Sequence, residues 1–426
     1  MSLALWLRSR KLYEHEIGMR RIAFGIFLLL IFSLGFMKPS VETGFASLTP
    51  TDVIFPLAFV CWIAALLIGD DGFKWRTEFW ALGVYFLALL VSCIFSINPR
   101  LSFIKLAGAA YMIMLAAMAS SMVTTRQRLR LSVVAWLAGA VIPLIAAFVG
   151  IVLFYFAPQS SLLPDLTYHY GAVPVGNFPR ISSTFVSASM FCNYLSVTFM
   201  FTVIAVKTGW IGKAVAAVIV FAIAVSAAFT VSIALGGVAL AVGLWLLTTS
   251  PNKTIGRITS IVYGAIAIAF LAIAPFSISL LPEIAASSRV LVWRDALNTL
   301  LADPLTGNGL GAPVANVMFQ NSDGTMSLLT DAHNTFLNVA AQAGILGLIS
   351  IIAIVVVVLR KGFAKTEGSD FYILRGLAIA FVAAFVYDGM IGSFEDARHL
   401  WVLIGLILAA NRIATDGDRS ATLHSA

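Results

Sequence analysis

The chain has 426 residues, 60% of them hydrophobic and only 11% charged, where an ordinary soluble domain carries about a quarter charged residues. This excludes a soluble globular protein, and the net charge of +7 has to be read against a membrane before it is read as a nucleic-acid signal. Cys61, Cys93 and Cys192 fall in or beside apolar runs without paired spacing, which points to packing and not to a disulfide or metal role.

Apolar runs long enough to cross a hydrocarbon core of roughly 30 Å recur from end to end. Lipid offers no partner to loose backbone groups, so the spans are helices or a closed barrel. The runs lack the alternation of barrel strands and are therefore read as helices. In chain order, about twelve are expected: 22–37, 52–69, 79–97, 103–123, 131–157, 187–206, 211–229, 231–248, 258–280, 335–359, 372–391 and 398–411. The seventh and eighth meet almost without a loop at Thr230–Ser232. The first run has no small-residue cleavage site and is expected to stay as an anchor. The tail from Asn411 onward reads as a short disordered end. The expected fold class is all-α: one polytopic integral membrane helical bundle over 1–426, without internal repeats.

The charges orient it. With the N-terminus inside, the inner segments hold 20 of the 27 Lys and Arg. The outer segments keep Lys38, Arg100, Arg180, Arg289, Arg294 and Arg398, with Lys105 just inside a span. The positive-inside rule is then obeyed, both termini are cytoplasmic, and the positive charge is topology. Membrane lipids are expected partners and nucleic acid is not.

Two outer loops are long, 158–186 and 281–334. Long loops on a rigid scaffold tend to carry function. In the second, "SSRVLVWRDALNTLLADP" opens with Ser287 or Ser288 as a candidate N-cap and stops at Pro304. Val290, Trp293, Leu297 and Leu300 or Leu301 recur at helical spacing, opposite Asp295, Asn298 and Thr299. This predicts an amphipathic helix lying along the membrane surface. The following "GNGLGAP" reads as a flexible turn able to approach a ligand; it follows no strand, so it is not a dinucleotide or P-loop signature.

The outer ionisable residues are the candidate site. Arg180, in "NFPRISSTF", and Arg289, at the start of the amphipathic helix, can snorkel to lipid phosphate or clamp a diphosphate with their planar forks. His333 stands at the mouth of the span opened by "DAHNTFLNVAAQAGILGL". The helix dipole favours an uncharged imidazole there, one able to take up a proton. The alternative is a purely structural histidine. Asp331, two residues earlier, and Asp388, at the outer end of the eleventh span, are carboxylates that could fix its tautomer; for Asp388 an ion pair with Arg398 is the plain structural reading. Gly344 and Gly347 read as close-packing positions. No outer acidic cluster or metal-spaced histidine pair is evident in the linear sequence.

Three blocks resemble the O-antigen ligase and polymerase superfamily of bacterial membrane glycosyltransferases: "RISSTFVSASMFCNYL" from Arg180, "SRVLVWRDALNTLLADPLTGNGLG" from Ser288, and "HNTFLNVAAQAGILGL" from His333. The resemblance implies a GT-C-like bundle in the bacterial inner membrane, with its active site facing the periplasm. It implies a donor glycan on undecaprenyl diphosphate, a lipid A-core acceptor, an inverting reaction, and no metal or other cofactor. It casts His333 as the base and Arg180 and Arg289 as the diphosphate grip. The reading of the residues adds Asp388 as a second catalytic candidate, Arg398 as a further diphosphate contact, and Asn334, Trp293 and Asp331 as support. One departure stands out: where many members place an Arg after a Ser near the eighth span, Ser232 is followed here by Ile233, so a third phosphate contact falls to Arg398 or Arg294. Within the superfamily a lipid A-core ligase, a repeat-unit polymerase and a transferase to protein hydroxyls remain open. Outside it, twelve spans also suit a secondary transporter or flippase, but those favour midplane polar residues and repeated halves.

Overall fold

The computed structural model describes residues 3–42, 47–68, 78–167, 178–232, 234–250, 254, 288–320, 326–390 and 392–425. Its helices begin with α1 (Leu3–Ser33), α2 (Pro50–Ile68), α3 (Phe79–Ile94), α4 (Pro99–Met122), α5 (Arg126–Phe156) and the short α6 (Leu163–Leu166). They continue with α7 (Ala188–Lys207), α8 (Lys213–Ala228) and α9 (Leu235–Thr249), then α10 (Ser288–Ala302), α11 (Thr335–Gly362), α12 (Gly368–Met390) and α13 (Arg398–Ser425). Every expected span except 258–280, which lies outside the described residues, falls on one of these helices. Seven helices among the described residues are long and apolar enough to cross a membrane. The chain is an integral membrane protein of mostly helical build.

Local chemistry sets the helix starts. Asn98, Thr125, Ser187 and Asn334 each turn a side-chain oxygen onto an amide of the following first turn, at Leu101, Arg128, Met190 and Leu337. Pro99 adds the preset φ of a first helical residue to α4. The join between α8 and α9 is a true break: Thr230 Oγ donates back to the Ala227 carbonyl and Val231 has φ of 44°. The tail differs from expectation, because α13 continues as helix to Ser425.

The bundle is organised around α7, α12 and α13, whose spans are the most enclosed. α12 packs on α7, and α13 on α4. At the α13–α4 crossing a Cβ on Gly405 would lie 2.3 Å from the Ala116 carbonyl oxygen, so the backbones meet directly. The opposite end from the site is tied by Arg412, which donates to the Ser120 and Val123 carbonyls, and by Lys361 3.9 Å from Glu78.

Two features position the site. The first is a break in α11 at Gly344, with φ 63° and ψ −164°. It is therefore a hinge position and not simply a close-packing one. The break frees carbonyls of the first half-helix, and the glycine loop fills them: the amides of Asn308 and Gly309 donate to Ala341 and Gln342, and Ile345 donates to Pro304. Gly309, at φ 111°, sits so tightly that a Cβ would meet Ser96 of the α3–α4 turn. The turn thus packs against α11 and the α3–α4 turn, while Leu310 and Gly311 line the cleft of the site. Non-helical backbone at this depth is tolerated because its polar groups are satisfied by protein.

The second is α10. Val292 and Ala296 are buried in a small cluster with Val314, Ala332 and Ala341, beside the β1–β2 hairpin (Val317–Gln320 with Met326–Leu329). The Leu291, Trp293, Leu297 and Leu301 side stays exposed. The helix thus carries a narrow buried strip and an exposed apolar stripe.

Candidate active site

The entrance to α11 is held from three sides. Asp331 Oδ1 accepts the His333 amide at 2.6 Å, and His333 takes a left-handed φ of 47°. The Trp293 indole donates to the carbonyl of buried Ala332 at 3.0 Å, which anchors the preceding residue. Asn334 caps the helix. The imidazole is about half exposed, with Nδ1 3.8 Å from Asp331 Oδ1. At that distance the ring and the carboxylate are neighbours without a hydrogen bond between them. Asp331, Trp293 and Asn334 are thus all in contact with the His333 turn.

Inside that turn lies a network that the linear reading missed. Glu395, on a 3₁₀ turn over Phe394–Asp396, accepts from Thr335 Oγ and from Asn338 Nδ2, both at 2.8 Å. Asn338 Nδ2 also reaches Asp331 Oδ2 at 2.9 Å, and the Phe394 amide donates to Thr335 Oγ at 2.8 Å. Burial and the neighbouring Asp396 push the Glu395 carboxyl up to about 7, against the pull of those donors. The only linear signal was the carboxylate pair in "SFEDARH"; its meeting with Asn338 is tertiary.

Asp388 is buried at the end of α12. It does not form the ion pair with Arg398 that the sequence allows. Asn193 of α7 donates to Asp388 Oδ2 at 2.5 Å, and His399 Nε2 is 3.9 Å away. The His399 ring is edge-on to Trp136 and Tyr194. Neither Asn193 nor His399 stood out in the sequence, since a lone Asn or His on an apolar helix carries no pattern. Arg398 instead forms a fork with Asp52 of α2, with Nε and Nη2 each 2.8 Å from a carboxylate oxygen. Its guanidinium also lies 6.0 Å from the Tyr111 ring centre. A fork already filled by a carboxylate is a wall element; gripping a diphosphate as well would require giving up Asp52.

Asp331, Asn338, Glu395, Asp52 and Arg398 open onto a cleft of about 430 Å³ between α2, α3, α4 and the first half of α11; His333, Asn334 and Trp293 do not line it. Asp52, Asp331, Glu395 and Asp396 line it, with Lys105, Arg398, Asn338 and Gln342, so carboxylates from three separate stretches of chain share one cleft. Among the described residues no group of three or more His, Cys, Asp or Glu is arranged to hold a metal ion. A smaller opening, beyond Arg398, is lined by Asp388, His399 and Ser393. Arg180 lines neither opening; its segment is held by the Ile181 amide on the Phe229 carbonyl and by the Ser182 amide on Leu166. Arg289 falls in the first turn of α10, and its side chain lies outside the described residues. The structure therefore joins His333, Asp331, Asn334 and Trp293, sets Asp388 and Arg398 nearby, and leaves Arg180 on a separate segment.

A helical integral membrane protein with a polar cleft at one end of its bundle is the class these features define. Residues 193–352 match the family described as O-antigen ligase, so this part of the chain is similar to that family. The match begins at Asn193 and includes α10 and His333, but not Arg180, Asp388 or Arg398. No curated protein matches the chain.

Proposed function

We propose that the chain is an O-antigen ligase-like glycosyltransferase that moves a glycan from undecaprenyl diphosphate to a lipid A-core sugar hydroxyl on the periplasmic side of the inner membrane, with both termini cytoplasmic. The observation that carries this reading is the His333 turn, fixed by Asp331 and Trp293 beside a cleft lined with carboxylates and amides. The acceptor oxygen attacks the anomeric carbon as its proton passes to the His333 imidazole. The bond from that carbon to the diphosphate oxygen breaks, the electron pair leaves with the diphosphate, and the configuration inverts. A positioned base of this kind contributes about 10² to 10⁴-fold. The leaving group is already activated, so the remaining need is donors for its developing charge, supplied by Arg180 and Arg289. Asp388 and Arg398 act as positioning residues, the first through Asn193 and His399, the second through Asp52.

The test is deletion of the gene followed by inspection of surface glycans. Intact lipid A-core together with accumulated lipid-linked polymer is the expected result. Core carrying a single repeat unit would make the chain a polymerase, and unchanged surface glycans would overturn the reading.

A further inference from the structure

The roughly 430 Å³ cleft is within the usual size range of small-ligand sites, about 300 to 1,000 Å³. Its lining is mixed, with Leu89, Ile104, Met112 and Ala343 apolar and Asp331, Asn338, Glu395 and Asp396 polar. Phe55, Tyr85 and Tyr111 give it aromatic walls.

Charge decides which substrate this suits. Arg398 neutralises Asp52 at 2.8 Å, so among the described lining residues the charged Asp331 and Asp396, with Glu395 pushed up to about 7, face one further cation, Lys105. A diphosphate entering here would meet a net negative wall. Carboxylates are acceptors, and hydroxyl groups are the donors that satisfy them. Aromatic rings offer flat apolar surface to the C–H faces of a sugar ring. Asp331 lines the cleft and also holds the His333 amide, so a hydroxyl bound to Asp331 lies next to the histidine turn.

We propose that this cleft is the acceptor site, holding an uncharged, hydroxyl-rich sugar between the aromatic walls and the carboxylates of Glu395 and Asp331. The inference rests on the glycosyltransferase reading but concerns a different substrate and different residues from the diphosphate grip. The donor then approaches His333 from outside the cleft.

Gly108 provides a clean perturbation. It lines the cleft from α4, and a Cβ built on it meets nothing within 4 Å. Gly108→Leu fills the cleft and exchanges glycine for a better helix former, so the fold is retained. The experiment uses the purified full-length chain in detergent, lipid-linked glycan as donor and delipidated core oligosaccharide as acceptor. Gly108→Leu and Glu395→Gln are expected to raise acceptor KM about tenfold, a loss of about 1.4 kcal/mol in binding, while donor KM stays put. An unchanged acceptor KM, or a rise in donor KM instead, overturns the proposal. Saturation-transfer NMR of the oligosaccharide alone reports without turnover: signals seen with wild type and lost in Gly108→Leu support the site, whereas signals unchanged by the substitution, or absent from wild type, refute it. If wild type transfers nothing, the glycosyltransferase reading fails, and the NMR result still decides the cleft.

Discussion

Replacing Gly344 by Ala tests whether the broken α11 is what builds the site. At φ 63° and ψ −164° the backbone lies in a region open essentially to glycine alone, and a side chain there costs on the order of 1–3 kcal/mol. The added Cβ would also sit 2.2 Å from the Leu305 carbonyl oxygen and 2.3 Å from its carbon, both backbone atoms of the incoming loop. The loop must then retreat, which strains the bonds from Asn308 to Ala341, Gly309 to Gln342 and Ile345 to Pro304. Each contributes about 1 kcal/mol. With all three lost, a total of roughly 4–6 kcal/mol follows, and part of it falls on the half-helix that carries Asn338 and the His333 cap. Equilibrium unfolding in mixed detergent and dodecyl sulfate micelles reads the loss, and glycan transfer reads the displaced site. A Gly344→Ala protein as stable and as active as wild type would mean that α11 runs straight through and that the loop is held by other contacts.

Asp52→Ala strands a guanidinium that is only 21% exposed, so it should destabilise the protein by about 3 kcal/mol, while Asp52→Ala with Arg398→Met recovers part of that; a single variant without loss in thermal unfolding argues against the pair. Arg289→Ala should weaken donor binding strongly, and Arg289→Lys should not fully restore it, because an ammonium lacks the planar fork; full restoration, measured as donor KM, would reduce the role to charge. Glu395, pushed up to about 7 from its usual 4.5, favours the fold while protonated. Its contribution is complete below about 4.5 and is lost as pH rises through about 7, with Asp396, Asp331 and Asp388 as its acidic neighbours. Unfolding followed across that window should show a decline that Glu395→Gln removes, and an identical decline in the variant would contradict the assignment.

The helices were legible because apolar length is a one-dimensional signal, and the His333 turn was legible because its support, Asp331 and Asn334, is local. Trp293 was visible as an anchor on its helix, although its indole bond to Ala332 was not. The break at Gly344 was hidden for a physical reason: the glycine has apolar neighbours on both sides, so hydropathy runs through it, and only the loop from 304 to 311 reveals the freed carbonyls. The acidic cleft was hidden because Asp52, Asp331 and Glu395 are far apart in sequence and meet only when α2, α11 and the 3₁₀ turn converge. Arg398 shows the converse risk. An outer arginine looks like a phosphate ligand until its carboxylate partner, 346 residues away, is placed beside it.

The most direct measurement is transfer by the purified, reconstituted chain from lipid-linked glycan to lipid A-core, comparing wild type with His333→Ala. The account predicts glycosylated acceptor and released undecaprenyl diphosphate with wild type, and loss of both with a His333→Ala protein that inserts and folds normally. Transfer at the wild-type rate by that variant would contradict the assignment of His333 as the base.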